Sequence, residues 1–353
     1  MAQLDTFLKA VLDRNGSDLH FLAGDPPRIR LYGQLQSLHP DPLSADFVRE
    51  TLYEIMPAKA IARFESKEGA DFAYAIPDSG RFRVNILRHA NGMGAICRAI
   101  PAGAKTLDEL SMPESVRALC RLKNGLILVT GKTGSGKSTT LAAMVDDINA
   151  RMKGHILTIE DPIEFVHRRQ NCLISQREIG VHAQSFAEAV HSALREDPDV
   201  ILIGEMRDLE TISIAVSAAE MGILVMGTLH TNGAPATIDR IVNAFPSDKQ
   251  PHVRTMLSTS LRGIISQQLL PTAGKPGRVA AMEILINTPA VANLIRQGKI
   301  DQLESTMQTS AGQGMRSMDM AITQLLDKGL VTGQEAYRKA MNKQRFESVK
   351  NQT

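Results

Sequence analysis

The run Gly131-Lys132-Thr133-Gly134-Ser135-Gly136-Lys137-Ser138 narrows the folds open to this chain more than any other segment. It fits G-x-x-x-x-G-K-[S/T], a pattern that works only where an apolar strand leads in and a helix leads out. Both flanks comply. Gly125–Thr130 is a nearly continuous apolar strand, and Leu141, Met144, Val145 and Ile148 recur at helical spacing. The residue types have a common physical purpose. Glycines let backbone N–H groups close around phosphate oxygens, and a helix N-terminus adds favourable potential for an anion. Gly131, Thr133, Gly134, Ser135, Gly136, Lys137, Ser138 and Thr139 are therefore the candidate contacts for ATP. Lys137 is placed to reach the β- and γ-phosphates, and the Ser138 hydroxyl to ligate Mg2+.

After residue 113 apolar strands alternate with helical segments, which predicts a parallel α/β sheet. The expected strands are Leu126–Thr130, His155–Ile159, Val200–Ile203, Ile223–Met226 and Val279–Ile286. Ligands in such sheets sit beyond the carboxyl ends of the strands. Those ends carry Glu160 to Glu164, Gly204 to Asp208, and Gly227 to His230. Phosphoryl transfer to water needs a carboxylate toward the metal, a group that orients the water, and cations that offset developing charge. Glu205 follows an apolar strand as a metal-side acid does, and Glu160 and Glu164 are the water-activating candidates. His230 suits a nucleotide-linked role or a purely structural one. Arg195, Arg177 and Arg207 are candidate cations of this region, with ion pairing a close second reading for Arg195 beside Glu196 and Asp197.

Residues 1–100 have a different texture. Leu4, Phe7, Leu8, Val11 and Leu12 form an amphipathic helix that stops near Asn15-Gly16. Alternating stretches at Ile29–Gln36, Phe72–Ile76 and Phe82–Ile86 read as strands. A turn over His89–Gly94 leads to a strand Ala95–Ile100, so the segment reads as a small α+β domain with an antiparallel sheet. Residues 101–112, opening with Pro101-Ala-Gly-Ala-Lys105, read as a linker, and the chain is mostly helical from about 289. Arg98 interrupts Ile96 and Ile100 on one strand face, with Arg81 and Arg83 on the strand before. These guanidinium groups fit either a solvated face or phosphate contact.

Composition removes several classes. Lys plus Arg number 40 against 38 Asp plus Glu, and aromatic residues are 4% with no Trp, so neither a global basic footprint nor a stacking platform for nucleic acid is present. Cys97, Cys120 and Cys172 lack zinc spacing and cannot all pair within one chain, which favours a reducing compartment and no zinc. Asp5, Lys9, Asp13 and Arg14 stand where a signal peptide would be apolar, and Ile212–Leu229, the longest apolar stretch, is cut by Glu220. The expectation is a cytoplasmic protein without a membrane span.

Several boxes together resemble the type II/IV secretion ATPases, most nearly their type IV pilus retraction (PilT-like) branch. They are Gly131–Ser138, Thr158–Glu164, Leu194–Asp199, Leu202–Asp208 and Gly227–Thr231, with Gly16–His20, Gly80–Asn85, Asn293–Arg296 and Gly314–Asp319 as further matches. The resemblance covers nearly the whole chain. It implies a PAS-like domain over 1–100 followed by a RecA-like P-loop ATPase domain over 113–353. It also implies a homohexamer with ATP between the two domains, Arg83 and Arg98 reaching it. Hydrolysis would power pilin disassembly and twitching at an inner-membrane platform protein. The extension branch usually carries a longer N-terminal region and a four-cysteine zinc insertion; this chain shows neither. It departs from the branch at Ile223, where a second His is usual, at Lys132, often Pro, and at Gln297, often an acid. An accessory retraction motor, a pseudopilus motor, a nucleotide-gated scaffold and a nucleic-acid translocase are the competing readings.

Overall fold

The computed structural model describes residues 2–31, 34–77, 79–100, 103–274 and 277–351. Tyr32 of the first alternating stretch and Pro101 and Ala102 of the expected linker lie outside these residues. The chain divides into two units, one of Met1–Gly103 with Glu164–Val166, the other of Ala104–Ile163 with His167–Thr353.

The first unit is built on six strands: β1 (Asp18–Leu22), β2 (Arg28–Leu31), β3 (Gln34–Ser37), β4 (Ala70–Ile76), β5 (Gly80–His89) and β6 (Gly92–Ile100). They pair antiparallel in the order β3-β2-β1-β6-β5-β4. Helix Leu4–Asp13 buries Leu4, Leu8 and Val11, the apolar stripe of its sequence, and Asn15 beyond it adopts φ 54°. Helix Ala45–Ile55 is capped by Ser44, whose hydroxyl accepts from the Phe47 N–H at 3.2 Å. Two expectations are corrected. Ile29–Gln36 forms two strands, and His89 pairs with Gly92, so the turn spans only Ala90 and Asn91.

The second unit carries β7 (Gly125–Thr130), β8 (His155–Glu160), β9 (Leu173–Glu178), β10 (Val200–Ile203), β11 (Leu224–Leu229), β12 (Leu261–Pro271) and β13 (Arg278–Ile286), in the order β13-β12-β7-β11-β10-β8-β9. All neighbours are parallel except β12 and β13. Every residue of β7, β10 and β11 is buried. Leu126 and Leu128 enter one hydrophobic cluster while Ile127 and Val129 enter another, because helices cover both faces. The strand expected at Ile223–Met226 runs instead to Leu229, placing His230 directly at its end. Beyond β13, helices Pro289–Gln297, Leu303–Thr309, Met318–Asp327 and Gly333–Lys339 follow. Among the described residues, no helix is long and apolar enough to cross a membrane.

Candidate functional site

Parallel register brings the carboxyl ends of four strands to one edge. Ile159 on β8 pairs with Ile203 on β10, Ile203 with Gly227 on β11, and Leu229 with Thr130 on β7. The segments that follow hold Glu160, Glu205, His230 and the phosphate loop. The loop itself enters helix Lys137–Arg151. Gly131 has φ 140°, and a side chain there would run into the Gln267 carbonyl and the Ser135 hydroxyl, so glycine is required. The N–H groups of Lys137, Ser138 and Thr139 precede the first helical bond, from Thr140 N–H to Gly136 O at 3.0 Å. Lys137 is 9% exposed, and its ammonium donates to the carbonyls of Gly131 at 2.9 Å and Lys132 at 3.3 Å. The buried hydroxyls of Thr130 and Ser135 have no hydrogen-bond partner among the described residues. Donors therefore converge on the loop. The residues fit a phosphate chain, with Ser138 half-buried at the helix start.

Across the edge, Glu205 is bound from two sides. Arg207 donates to it at 2.6 Å, and the His230 Nε2 lies 2.9 Å from its Oε1. Burial would raise the Glu205 carboxyl, but the Arg207 hydrogen bond and the fields of His230, Arg207 and Lys137 hold it below the ordinary glutamate range. The Lys137 contribution to that field ties this cluster to the phosphate loop. Arg207 is raised by the same bond. The backbone behind Glu205 is braced: the Thr228 hydroxyl donates to Gly204 O at 2.6 Å, and Met206 N–H donates to Thr228 O at 3.0 Å. Glu160 is half-buried at the end of β8 and accepts from Thr158 at 2.7 Å and Gln176 at 3.3 Å.

Other sequence candidates lie elsewhere. Arg195 sits in the loop that enters β10, so the four residues of that strand separate it from the Glu205 edge. Its guanidinium lies 3.5 Å from the His191 ring, and the fold does not bring it to its own chain's phosphate loop. Arg177 pairs with Glu196 at 2.7 Å. Glu164 is exposed and belongs to the segment grouped with the first unit. Ile223 precedes β11 while His230 follows it. A six-residue strand spans roughly 20 Å, so a second His at 223 would not meet the first.

In the first unit Arg83 and Arg98 are direct cross-strand partners, with Asp18 opposite Arg98 and Arg30 opposite Asp18. The expectation that Arg98 breaks an apolar face is corrected: its side chain is 70% exposed and pairs with the buried Asp18 at 2.9 Å. Burial would raise Asp18, but the Ser17 hydroxyl and Arg98 lower it. Arg83 lies 3.9 Å from Asp71. Two arginines side by side repel unless an anion offsets them.

Sequence reasoning missed Gln267 on β12. Gln267 is 2% exposed, and its side-chain amide donates to Ser135 O at 2.6 Å and accepts from the Thr140 hydroxyl at 2.8 Å. The available signal was a polar Ser266-Gln267-Gln268 triplet inside an apolar run.

A mainly parallel sheet with helices on both faces, a glycine-rich phosphate loop after one central strand and an acid after another defines an α/β nucleotide-binding protein of the P-loop class. The family model for type II/IV secretion system proteins matches residues 2–338, and the chain belongs to that family. It is 49% identical over 333 residues to the type IV pilus retraction ATPase PilT of Pseudomonas aeruginosa, covering 94% of this chain and 96% of that protein. It is 40% identical over 334 residues to the type IV pilus ATPase PilU of the same organism, covering 95% and 87%. A crystal structure of the pilus retraction motor PilT with bound ADP superposes with a TM-score of 0.91 at 43% identity, covering 99% of both chains.

Proposed function

We propose that this chain is an ATP-hydrolysing motor that powers type IV pilus retraction and hence twitching. The observation that carries the reading is the 49% identity, over 94% of the chain, to a protein named as a retraction ATPase. The cluster at the sheet edge supplies the chemistry. Lys137 and the loop residues Gly131, Thr133, Gly134, Ser135, Gly136 and Thr139 would hold the phosphates of ATP. Ser138 and, through water, Glu205 would hold Mg2+, which when bound neutralises charge on the transferring phosphoryl group. His230 and Arg207 keep Glu205 ionised and oriented. Glu160 and Glu164 are the groups assigned to orient the attacking water, and Arg83 and Arg98 the cations of a PAS-like first domain that answer to the phosphates. Both guanidinium groups stay open to solvent beside the aspartates they pair with, 50% exposed for Arg83 and 70% for Arg98, so each can reach a second anion. Arg195 is not brought to the phosphate loop within one chain. The functional unit is a homohexamer at the cytoplasmic face of the inner membrane, working on the pilus platform protein.

Two experiments test this. Purified chain should release phosphate from ATP, and Lys137→Ala should not. In the host, deletion should leave many surface pili that no longer retract, rescued by wild type and not by Lys137→Ala. Bald cells would show an extension motor instead, and unchanged retraction a redundant or accessory one. Strong stimulation of hydrolysis by DNA would restore the translocase reading.

A further inference from the structure

The strand pair β12 and β13 lies beside β7, with Ser266 opposite both Glu283 and Thr130. Thr130 is the residue before the phosphate loop. Successive side chains of a strand leave opposite faces, and here both directions are used. Gln267 grips the phosphate loop through Ser135 O and the first helical turn through Thr140, at 2.6 and 2.8 Å. Ser266 faces the other way, and its hydroxyl accepts from the Gly233 N–H at 2.8 Å. Glu283, 7% exposed, accepts from the Ala234 N–H at 2.6 Å through Oε1. Gly233 and Ala234 are the N-cap and first residue of helix Ala234–Val242, a few residues beyond His230. The intervening corner is closed by a 2.7 Å bond between the Thr231 and Thr237 hydroxyls and another from Thr237 to Gly233 O. The second oxygen of Glu283 accepts from the Met318 N–H at 3.4 Å, at the start of helix Met318–Asp327.

We infer that Glu283 is a positioning residue for hydrolysis: with Ser266 it fixes the His230 corner against Glu205, from the same strand pair on which Gln267 fixes the phosphate loop. Nucleotide grip and His230 placement thus share one foundation but use separate side chains. A buried carboxylate that satisfies two helix starts cannot be removed without releasing both N–H groups. The inference rests on the reading of the loop as an ATP-hydrolysing site, and the test separates the two.

The full chain is compared with Glu283→Ala, Glu283→Gln and Gln267→Ala. The readouts are phosphate release across ATP concentrations, binding of a fluorescent ATP analogue, and amide exchange over residues 131–139 and 230–237. Glu283→Ala should lower kcat about tenfold to a hundredfold with KM changed less than about twofold. It should speed exchange at 230–237 and leave the rate at 131–139 unchanged. Glu283→Gln keeps a carbonyl for the Ala234 N–H and should restore most of kcat. Gln267→Ala should show the complementary pattern, weaker analogue binding with faster exchange at 131–139. The inference is overturned by an unchanged kcat in Glu283→Ala, by kcat and binding falling together with exchange rising throughout the unit, or by Glu283→Gln behaving as Glu283→Ala. If the wild type releases no phosphate, the ATPase reading fails on its own. The exchange data then decide the positioning claim, which fails if 230–237 stays protected without the carboxylate.

Discussion

Gly204 is where the two carboxylate-bearing strand ends approach each other, and adding one methyl group there tests how tightly the site depends on that approach. Gly204 N–H donates to Ile159 O at 2.7 Å. A Cβ at this position would lie 3.1 Å from Ile159 O and 3.2 Å from Glu160 Cα. Both neighbours are backbone atoms inside a parallel ladder, so neither can rotate away, and β8 must shift by a few tenths of an ångström. Overpacking of this kind costs about 1–3 kcal/mol. Alanine returns about 0.4–1 kcal/mol by restricting the unfolded chain. Mid-range values leave a net loss of about 1.3 kcal/mol, which for a unit of roughly 250 residues lowers Tm by about 3–5 °C. The shift acts directly at Glu160, so turnover should fall about tenfold, more than stability alone explains. Gly312 serves as the control, since a Cβ there meets nothing within 4 Å. Scanning calorimetry without nucleotide and phosphate release at 25 °C supply the readouts. A Gly204→Ala variant with wild-type Tm and wild-type kcat would show that the strand ends have slack and that the argument from close approach is mistaken.

Three further outcomes follow from the charges and thiols. Because the folded Glu205 carboxyl titrates below its usual 4.5, its contribution to stability is present above that value and is lost as pH falls through the folded pKa. Glu205→Gln should flatten the acid limb of a urea-midpoint profile, and an unaltered limb would contradict the assigned field. Arg98→Ala should move the Asp18 titration toward higher pH in a carboxyl-detected NMR experiment, since Arg98 contributes both a hydrogen bond and a charge to its lowering. All three cysteines are buried and free, with burial pushing Cys97 and Cys120 up to about 12 and Cys172 upward. A thiol reagent at pH 8 should therefore modify none of them rapidly in the native chain and all three in denaturant; fast native labelling of Cys97 would refute its placement.

What the sequence showed and what it hid have different physical causes. The phosphate loop was legible because its requirement is local: one strand, one helix start, and glycines at fixed offsets. Glu205 and His230 were legible because parallel strands deliver whatever follows them to one edge. β12 was hidden because Ser266 and Gln267 look like solvent-facing breaks in an apolar run, yet each is 2% exposed. Their partners, Ser135 and Gly233, are more than 30 residues away in sequence. Arg98 misled for the converse reason. A charge between Ile96 and Ile100 suggested an apolar face, but its register partner Asp18 belongs to a strand whose own pattern, Leu19 and Phe21 inward and His20 outward, was not read. Long-range pairing decides whether a polar residue in a strand is a surface residue or a clamp. The polar groups that set this site's geometry are therefore the ones a single sequence places worst.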